Sequence, residues 1–252
     1  MPETIVITGA SAGFGAASAR LFAAKGWKLV LIARRRDRLE QLASQLGAAR
    51  VHALELDVRD RTKVFSLLSR LPAEFRDVDV LLNNAGLALG LDPAHEASID
   101  DWEAMVDTNC KGLLYCTRCV LPRMVERNHG HIVNIGSTAG SWPYPGGNAY
   151  GATKAFVKQF SMNLRADLVG TNVRVSNIEP GLADTEFSIV RFKGDTARAT
   201  QVYQGTRPLT GDDIAQVVYW VVSCPPHVNI NSVEVMPVCQ AWGPMKVHRQ
   251  DE

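Results

Sequence analysis

Tyr150 and Lys154 stand four residues apart in YGATK, with only small residues between them. Positions i and i+4 share a helix face, so the phenol and the ammonium can approach each other. A cation close by favours phenolate over phenol and draws the tyrosine down from its usual value of about 10. A phenol tuned in this way can give and take a proton near neutral pH. A surface tyrosine beside a solvated lysine would read the same way locally, so the rest of the chain must decide.

A second group of residues suits phosphate. TGASAGFG sets Gly9, Gly13 and Gly15 between an apolar run and an amphipathic one, with Ser11 and Phe14 in the same loop. Glycines allow a tight turn and a close backbone approach to a pyrophosphate, and the following helix offers its N-terminal amides. The alternative is a merely structural turn. The next apolar run ends LVLIARRRDRL, where a site for the unphosphorylated dinucleotide would carry an acid at the strand end. Here Ala33 holds that place, followed by Arg34, Arg35 and Arg36. Guanidinium forks suit the 2′-phosphate of NADP, and Arg34 and Arg35 are the expected contacts, with Arg36 facing water. Asp37 lies too far along and is better placed to favour a helix N-terminus.

These groups need elements to position them. TIVITG (4–9), KLVLIA (28–33), VHALEL (51–56), VDVLLN (78–83), HIVNIG (131–136), NVRVSNI (172–178) and SVEVMP (232–237) read as strands. Several are apolar almost throughout, as strands covered on both faces are. Amphipathic stretches such as RRDRLEQLASQLG and RTKVFSLLSRL alternate with them, which predicts an α/β fold with a parallel, doubly wound sheet of about seven strands and helices on both faces. One domain over 1–252 is expected, since no linker, repeat or low-complexity tract divides the chain. The segment from about 181 to 208 carries no strand pattern. In such sheets ligands bind beyond the strand carboxyl ends, so this segment is the expected substrate-loop insertion.

Composition narrows the function. A net charge of +1 in 252 residues gives no global field for nucleic acid or an anionic membrane. No apolar run reaches the roughly 18 residues of a membrane span. The opening MPETIVITGA reads as a strand rather than a signal peptide. The five cysteines, Cys110, Cys116, Cys119, Cys224 and Cys239, have no disulfide-framework spacing and fit reduced thiols in a cytoplasm. Cys116 and Cys119 form a C-x-x-C, but their neighbours are apolar at helical spacing, so they read as core filling. No metal site is expected.

TGASAGFG, NNAG (83–86), Ser137 and Tyr150-x-x-x-Lys154, in that order, resemble the short-chain dehydrogenase/reductase family over nearly the whole chain. Further stretches, among them NNAGLALGLDPAH and HVNINSVEVMPV, are similar to its bacterial NADP-dependent branch that oxidises small 3-hydroxy acids such as serine and L-allo-threonine. The resemblance implies a Rossmann-type fold, NADP(H), and proton transfer by Tyr150. Lys154 would tune the tyrosine and reach the nicotinamide ribose, Ser137 would orient the substrate oxygen, and Asn109 would hold a water linking Lys154 to solvent. Asn84, Pro180, Gly181 and Thr185 would line the cofactor, with Asn83 structural. Asp57 and Val58, ending the third strand, would reach the adenine, unless Asp57 instead caps the next helix. Ser137 as a turn former and Asn109 as a cap are the plain alternatives. For the substrate carboxylate, Arg191 and Lys193 are both at hand in FSIVRFKGD, and Arg191 is favoured for its bidentate geometry. The substrate would be a small 3-hydroxy acid or its semialdehyde, with malonic semialdehyde and 3-hydroxypropionate as one pair.

The family's tetramers imply a homotetramer here, built on the helix of Tyr150 and the long helix before it. The closing PMKVHRQDE would exchange between subunits or stay disordered. Fold and catalytic residues alone do not set the substrate, so a reductase of another carbonyl is the nearest competing reading. A non-catalytic NADPH sensor would be betrayed by loss of Tyr150 or Lys154, and both are present. Replacing Arg34 by Asp is expected to raise the Michaelis constant for NADPH far more than that for NADH. Equal effects on the two would remove Arg34 from the 2′-phosphate.

Overall fold

A computed structural model describes residues 3–243. PMKVHRQDE, for which subunit exchange or disorder was expected, lies outside them. In chain order the elements are β1 (Thr4–Thr8), α1 (Gly13–Ala24), β2 (Lys28–Ala33), α2 (Arg36–Leu46), β3 (Val51–Glu55), α3 (Arg61–Leu68), β4 (Val80–Asn83) and α4 (Ile99–Val106). A π-helical turn, Asp107–Gly112, leads into α5 (Leu113–Glu126) and β5 (Gly130–Ile135). Then follow α6 (Asn148–Asp167), β6 (Val173–Pro180), α7 (Phe187–Arg191), α8 (Thr196–Gln201), α9 (Gly211–Ser223) and β7 (Ser232–Val235).

The strands form one parallel seven-stranded sheet in the order β3-β2-β1-β4-β5-β6-β7. The period of two along each strand explains why several of the runs are apolar almost throughout. Ile5 and Ile7 face a layer with Phe22, Ile214 and Val218, whereas Val6 faces Val64, Cys116 and Met124, all fully buried. Cys116 is thus core filling, as its helical spacing predicts, and His/Cys/Asp/Glu clusters able to hold a metal are absent among the described residues. Likewise, among those residues no helix is long and apolar enough to cross a membrane.

The chain leaves β1 toward β2 and β3, then returns to place β4 on the other side of β1. This reversal opens a crevice at the strand carboxyl ends. Segment 181–208 stands over it without strands, as its sequence predicts, and its base is stitched shut. Leu209 donates its N–H to the Leu182 carbonyl at 3.0 Å, and Asp184 donates to the Leu209 carbonyl at 2.8 Å. What lies between is a closed flap carrying α7 and α8.

A buried polar chain fixes α5 and α6 to the sheet centre. Asn83 Nδ2 donates to Thr117 Oγ1 and to Asn134 Oδ1, both at 2.9 Å, and Asn134 Nδ2 donates to Ser161 Oγ at 2.8 Å. Because α6 carries Tyr150 and Lys154, this chain sets their height above the sheet. Asn83→Ala leaves buried groups on Thr117 and Asn134 without their donor, which costs about 1–3 kcal/mol. Urea unfolding is expected to show a lower midpoint at an unchanged slope.

Candidate active site

Tyr150 and Lys154 lie on the inner face of α6, and both are buried. The small residues between them have a reason. A β-carbon on Gly151 would sit 3.0 Å from the Ala139 carbonyl oxygen, and one on Gly140 would sit 2.8–2.9 Å from the Lys154 carbonyl group. Only glycines let the loop after β5 lie flat against α6, and that loop carries Ser137. Lys154 Nζ donates to the Ile135 carbonyl at 2.8 Å and stands 5.9 Å from the Tyr150 ring centre.

The electrostatics differ from the simple expectation of a lysine lowering a tyrosine. Burial pushes the Tyr150 phenol up to about 12, and a hydrogen bond with Ser137 and the charge of Arg191 only partly offset it. Burial also pulls Lys154 down to about 8. Both groups are therefore driven toward their neutral forms, and the cations around the phenol decide how readily it ionises.

Arg191, at the end of α7, is the group the sequence placed least firmly. Its guanidinium carbon lies 5.2 Å from the Tyr150 ring centre and 5.0 Å from that of Phe187, and its Nη2 donates to the Tyr144 hydroxyl at 2.9 Å. Its Nε is buried without a partner. Lys193, the competing cation, instead pairs with Asp101 at 2.8 Å on the outside.

The Asn109 side chain is fully used within the chain. Its Oδ1 accepts from the Leu87 N–H at 2.9 Å, and its Nδ2 donates to the Leu87 carbonyl at 2.8 Å and to Thr153 Oγ1 at 3.0 Å. Both amide hydrogens are spent, so the side chain clamps the π-helical turn to the loop after β4 and to α6.

The crevice extends as a cleft of about 630 Å³ from this group to the glycine loop, lined by Gly9, Ser11, Gly13, Phe14, Arg34, Arg35, Asp57, Val58, Asn84, Pro180, Gly181 and Thr185. Gly9 adopts φ +66°, and a β-carbon there would stand 2.9 Å from Asn84 Nδ2 and 3.0 Å from Ala85 Cα. A β-carbon on Gly15 would strike the Gly9 carbonyl. This is a cradle held open for a backbone-bound group. Asn84 shapes it by donating to the carbonyls of Thr8 at 2.9 Å and Gly9 at 3.2 Å. Asp57 does not cap α3, since Asp60 does so by accepting from the Lys63 N–H. Asp57 is instead gripped by Arg59 at 2.6 Å.

Four lining groups left no signal that sequence reasoning used. Tyr144 meets Arg191 across 47 residues, and Glu186 meets Arg35 and Arg38 from the flap. Gln240 Oε1 accepts from the Leu182 N–H at 2.6 Å, closing the cofactor loop from the C-terminal side. Phe187 lies 5.5 Å from Tyr150, ring to ring.

A parallel sheet with a glycine cradle at its switch point, and a buried Tyr–Lys pair beside a serine, define a dinucleotide-dependent oxidoreductase. The short chain dehydrogenase family model matches residues 3–195, and the chain belongs to that family. The chain is 59% identical over 246 residues to an NADP-dependent 3-hydroxy acid dehydrogenase of Salmonella typhi, covering 97% of this chain and 99% of that protein. It is 50% identical over 251 residues to sulfoacetaldehyde reductase 2 of Chromohalobacter salexigens, covering 99% of this chain and all of that protein. Among solved structures, the closed form of serine dehydrogenase complexed with NADP+ superposes with a TM-score of 0.96 at 58% identity, covering 98% of this chain and all of that one.

Arg191 lowers the Tyr150 phenol, so its removal is expected to raise it. With Tyr150 as the general base expected from the sequence, the acidic limb of the pH–rate profile for oxidation would depend on its ionised form. Arg191→Ala should therefore shift that limb to higher pH, measured as kcat against pH with saturating alcohol. A limb that stays in place would separate Arg191 from the proton transfer.

Proposed function

We propose that this protein is an NADP-dependent oxidoreductase acting on the C3 hydroxyl of small 3-hydroxy acids, and on the matching semialdehydes in reverse. Serine, allo-threonine and 3-hydroxypropionate are the expected alcohols and malonic semialdehyde an expected aldehyde. The reading rests above all on Arg191, whose buried Nε has no partner beside the Tyr150 ring. A buried guanidinium N–H without an acceptor is costly, and a small acid relieves that cost. The named relatives fit the same chemistry, because sulfoacetaldehyde, like a 3-carbon semialdehyde acid, carries its anion one carbon from the aldehyde.

The residues divide the work. The cofactor, when bound, supplies or takes the hydride. Gly9, Gly13 and Gly15 with Ser11 and Phe14 would receive its pyrophosphate region, and Arg34 and Arg35 would face its 2′-phosphate. Asp57 and Val58 border the adenine, with Asn84, Pro180, Gly181 and Thr185 along the remaining wall. Ser137 Oγ donates a hydrogen bond to the substrate oxygen and holds it by the phenol. Tyr150 gives its hydroxyl proton to that oxygen in reduction and takes it back in oxidation. Lys154 supplies positive charge behind the phenol, while Asn109 braces the turn that faces it. Arg191 holds the acid, which points the C3 carbon at Tyr150 and Ser137. Phe156 and Met162, exposed on α6, suit the homotetramer contact of α5 and α6, and the setting is cytoplasmic.

The test follows NADPH and NADH absorbance with serine enantiomers, L-allo-threonine, 3-hydroxypropionate and malonic semialdehyde. Turnover confined to NADP(H) and to acids is expected. Arg191→Ala should raise the Michaelis constant for the acids about 10–100-fold while sparing uncharged alcohols at a pH above the acidic limb. A uniform loss would mean that Arg191 only shapes the flap, and silence across the panel would move the search to other carbonyls.

A further inference from the structure

The adenosine end of the cleft holds a carboxylate that the sequence does not lead one to expect. An acid is missing at the end of β2, where Ala33 stands, yet Glu186 brings one to the same corner from the flap. Arg35 Nη1 donates to Glu186 Oε2 at 2.9 Å, and Arg38 Nη1 donates to Oε1. The remaining edge of Arg35 is turned to the glycine loop, with Nε and Nη2 donating to Ser11 Oγ at 3.3 and 3.1 Å. Arg36 points away to Glu40 at 2.6 Å. Burial would raise the Glu186 carboxyl, but hydrogen bonds from Arg35 and Arg38 outweigh it and keep the group ionised.

Glu186 is also the residue immediately before α7. The helix is five residues long, about 7.5 Å. Phe187 at one end lies against Tyr150, and Arg191 at the other end stands over the same ring. A short segment thus has its first residue tied to the arginines and its last beside the reacting tyrosine.

We propose that Glu186 is a specificity-determining residue, competing with the cofactor 2′-phosphate for Arg35 while its bond to Arg38 seats the Phe187–Arg191 segment over Tyr150. A 2′-phosphate brings roughly −1.5 to −2 charges to the corner already occupied by the carboxylate. Arg35 cannot serve both anions with the one edge now given to Glu186. The carboxylate therefore weakens NADPH binding. It is neutral or helpful toward NADH, whose free 2′-hydroxyl can donate to it. The site as built gives up part of its preference for the phosphorylated cofactor in return for a seated flap. The seating half of this proposal rests on the reading of Arg191 as the acid-binding group; the cofactor half does not.

The experiment measures NADPH and NADH dissociation constants by nucleotide fluorescence, without substrate, in wild type, Glu186→Gln and Arg38→Gln. Both positions are partly exposed, so the fold should tolerate either change. Glu186→Gln is expected to tighten NADPH about threefold to fivefold and to leave NADH unchanged or weaker, with a difference that shrinks in added salt. Both variants should raise the Michaelis constant for 3-hydroxy acids, and the double variant no further than either single one. An NADPH dissociation constant that is unchanged or weakened in Glu186→Gln overturns the proposal. Tighter NADPH with unaltered acid kinetics overturns the seating half. In that case Arg191→Ala shows whether the acid-binding reading has failed as well, or only the link from Glu186 to Arg191.

Discussion

The site depends on one constraint, that a phenol and an ammonium are both withdrawn from water on a single face of α6. Withdrawal alone would disable them, because burial carries Tyr150 to about 12 and Lys154 to about 8. A rise from 10 to 12 amounts to roughly 3 kcal/mol against the phenolate. Two unit charges 5 Å apart, at an effective dielectric of about 20, interact by roughly the same 3 kcal/mol. Arg191 stands 5.2 Å from the Tyr150 ring centre and Lys154 5.9 Å from it. A cation at this distance therefore acts on the scale of the burial, and the value of about 12 is what remains with the Arg191 charge already in place. A lysine titrating near 8 is also still mostly charged at neutral pH, so the pair is usable because it is surrounded, not because it is solvated.

That places one of the two cations beside Tyr150 on a flap. Arg191 reaches Tyr150 only while 181–208 lies over the crevice, and three contacts hold it there from different directions. Leu209 stitches its base, Gln240 grips the loop at Leu182 from the C-terminal side, and the arginines of β2–α2 hold Glu186. Thr185 completes the cover, with its Cβ 3.4 Å from where a Gly13 β-carbon would stand. Cofactor loop, flap and phenol are therefore mechanically one unit, although they come from three parts of the chain.

What could be read from the sequence follows from this. Tyr150 and Lys154 obey a local helical rule, the glycine loop sits between a strand and a helix, and several strands are apolar almost throughout. Each is a short-range signal with a short-range cause, and the sheet and the position of the cleft followed from them. Arg38, Glu186, Tyr144 and Gln240 left no such trace, because their meaning lies in partners far off in sequence: 151 residues separate Arg35 from Glu186. Asn109 was visible as a residue but not in its side-chain partners. Helical spacing says which face it occupies, but not that Leu87 takes both ends of its amide.

The proposed recognition of a small acid rests on how Arg191 is left, not on how many bonds it makes. Tyr144, Tyr150 and Phe187 surround the guanidinium with ring faces, which are weak substitutes for water. Tyr144 takes one N–H, and the buried Nε takes no partner. Such an N–H costs about 1–3 kcal/mol while it waits. An acid that meets it recovers this energy on binding, and an uncharged alcohol of the same shape leaves the cost in place. Since 1.4 kcal/mol is tenfold in affinity, on that proposal the cage would separate acids from alcohols by roughly 5- to 150-fold before any further contact is counted. Discrimination of this kind is asymmetric, because the penalty for the wrong ligand exists before the ligand arrives.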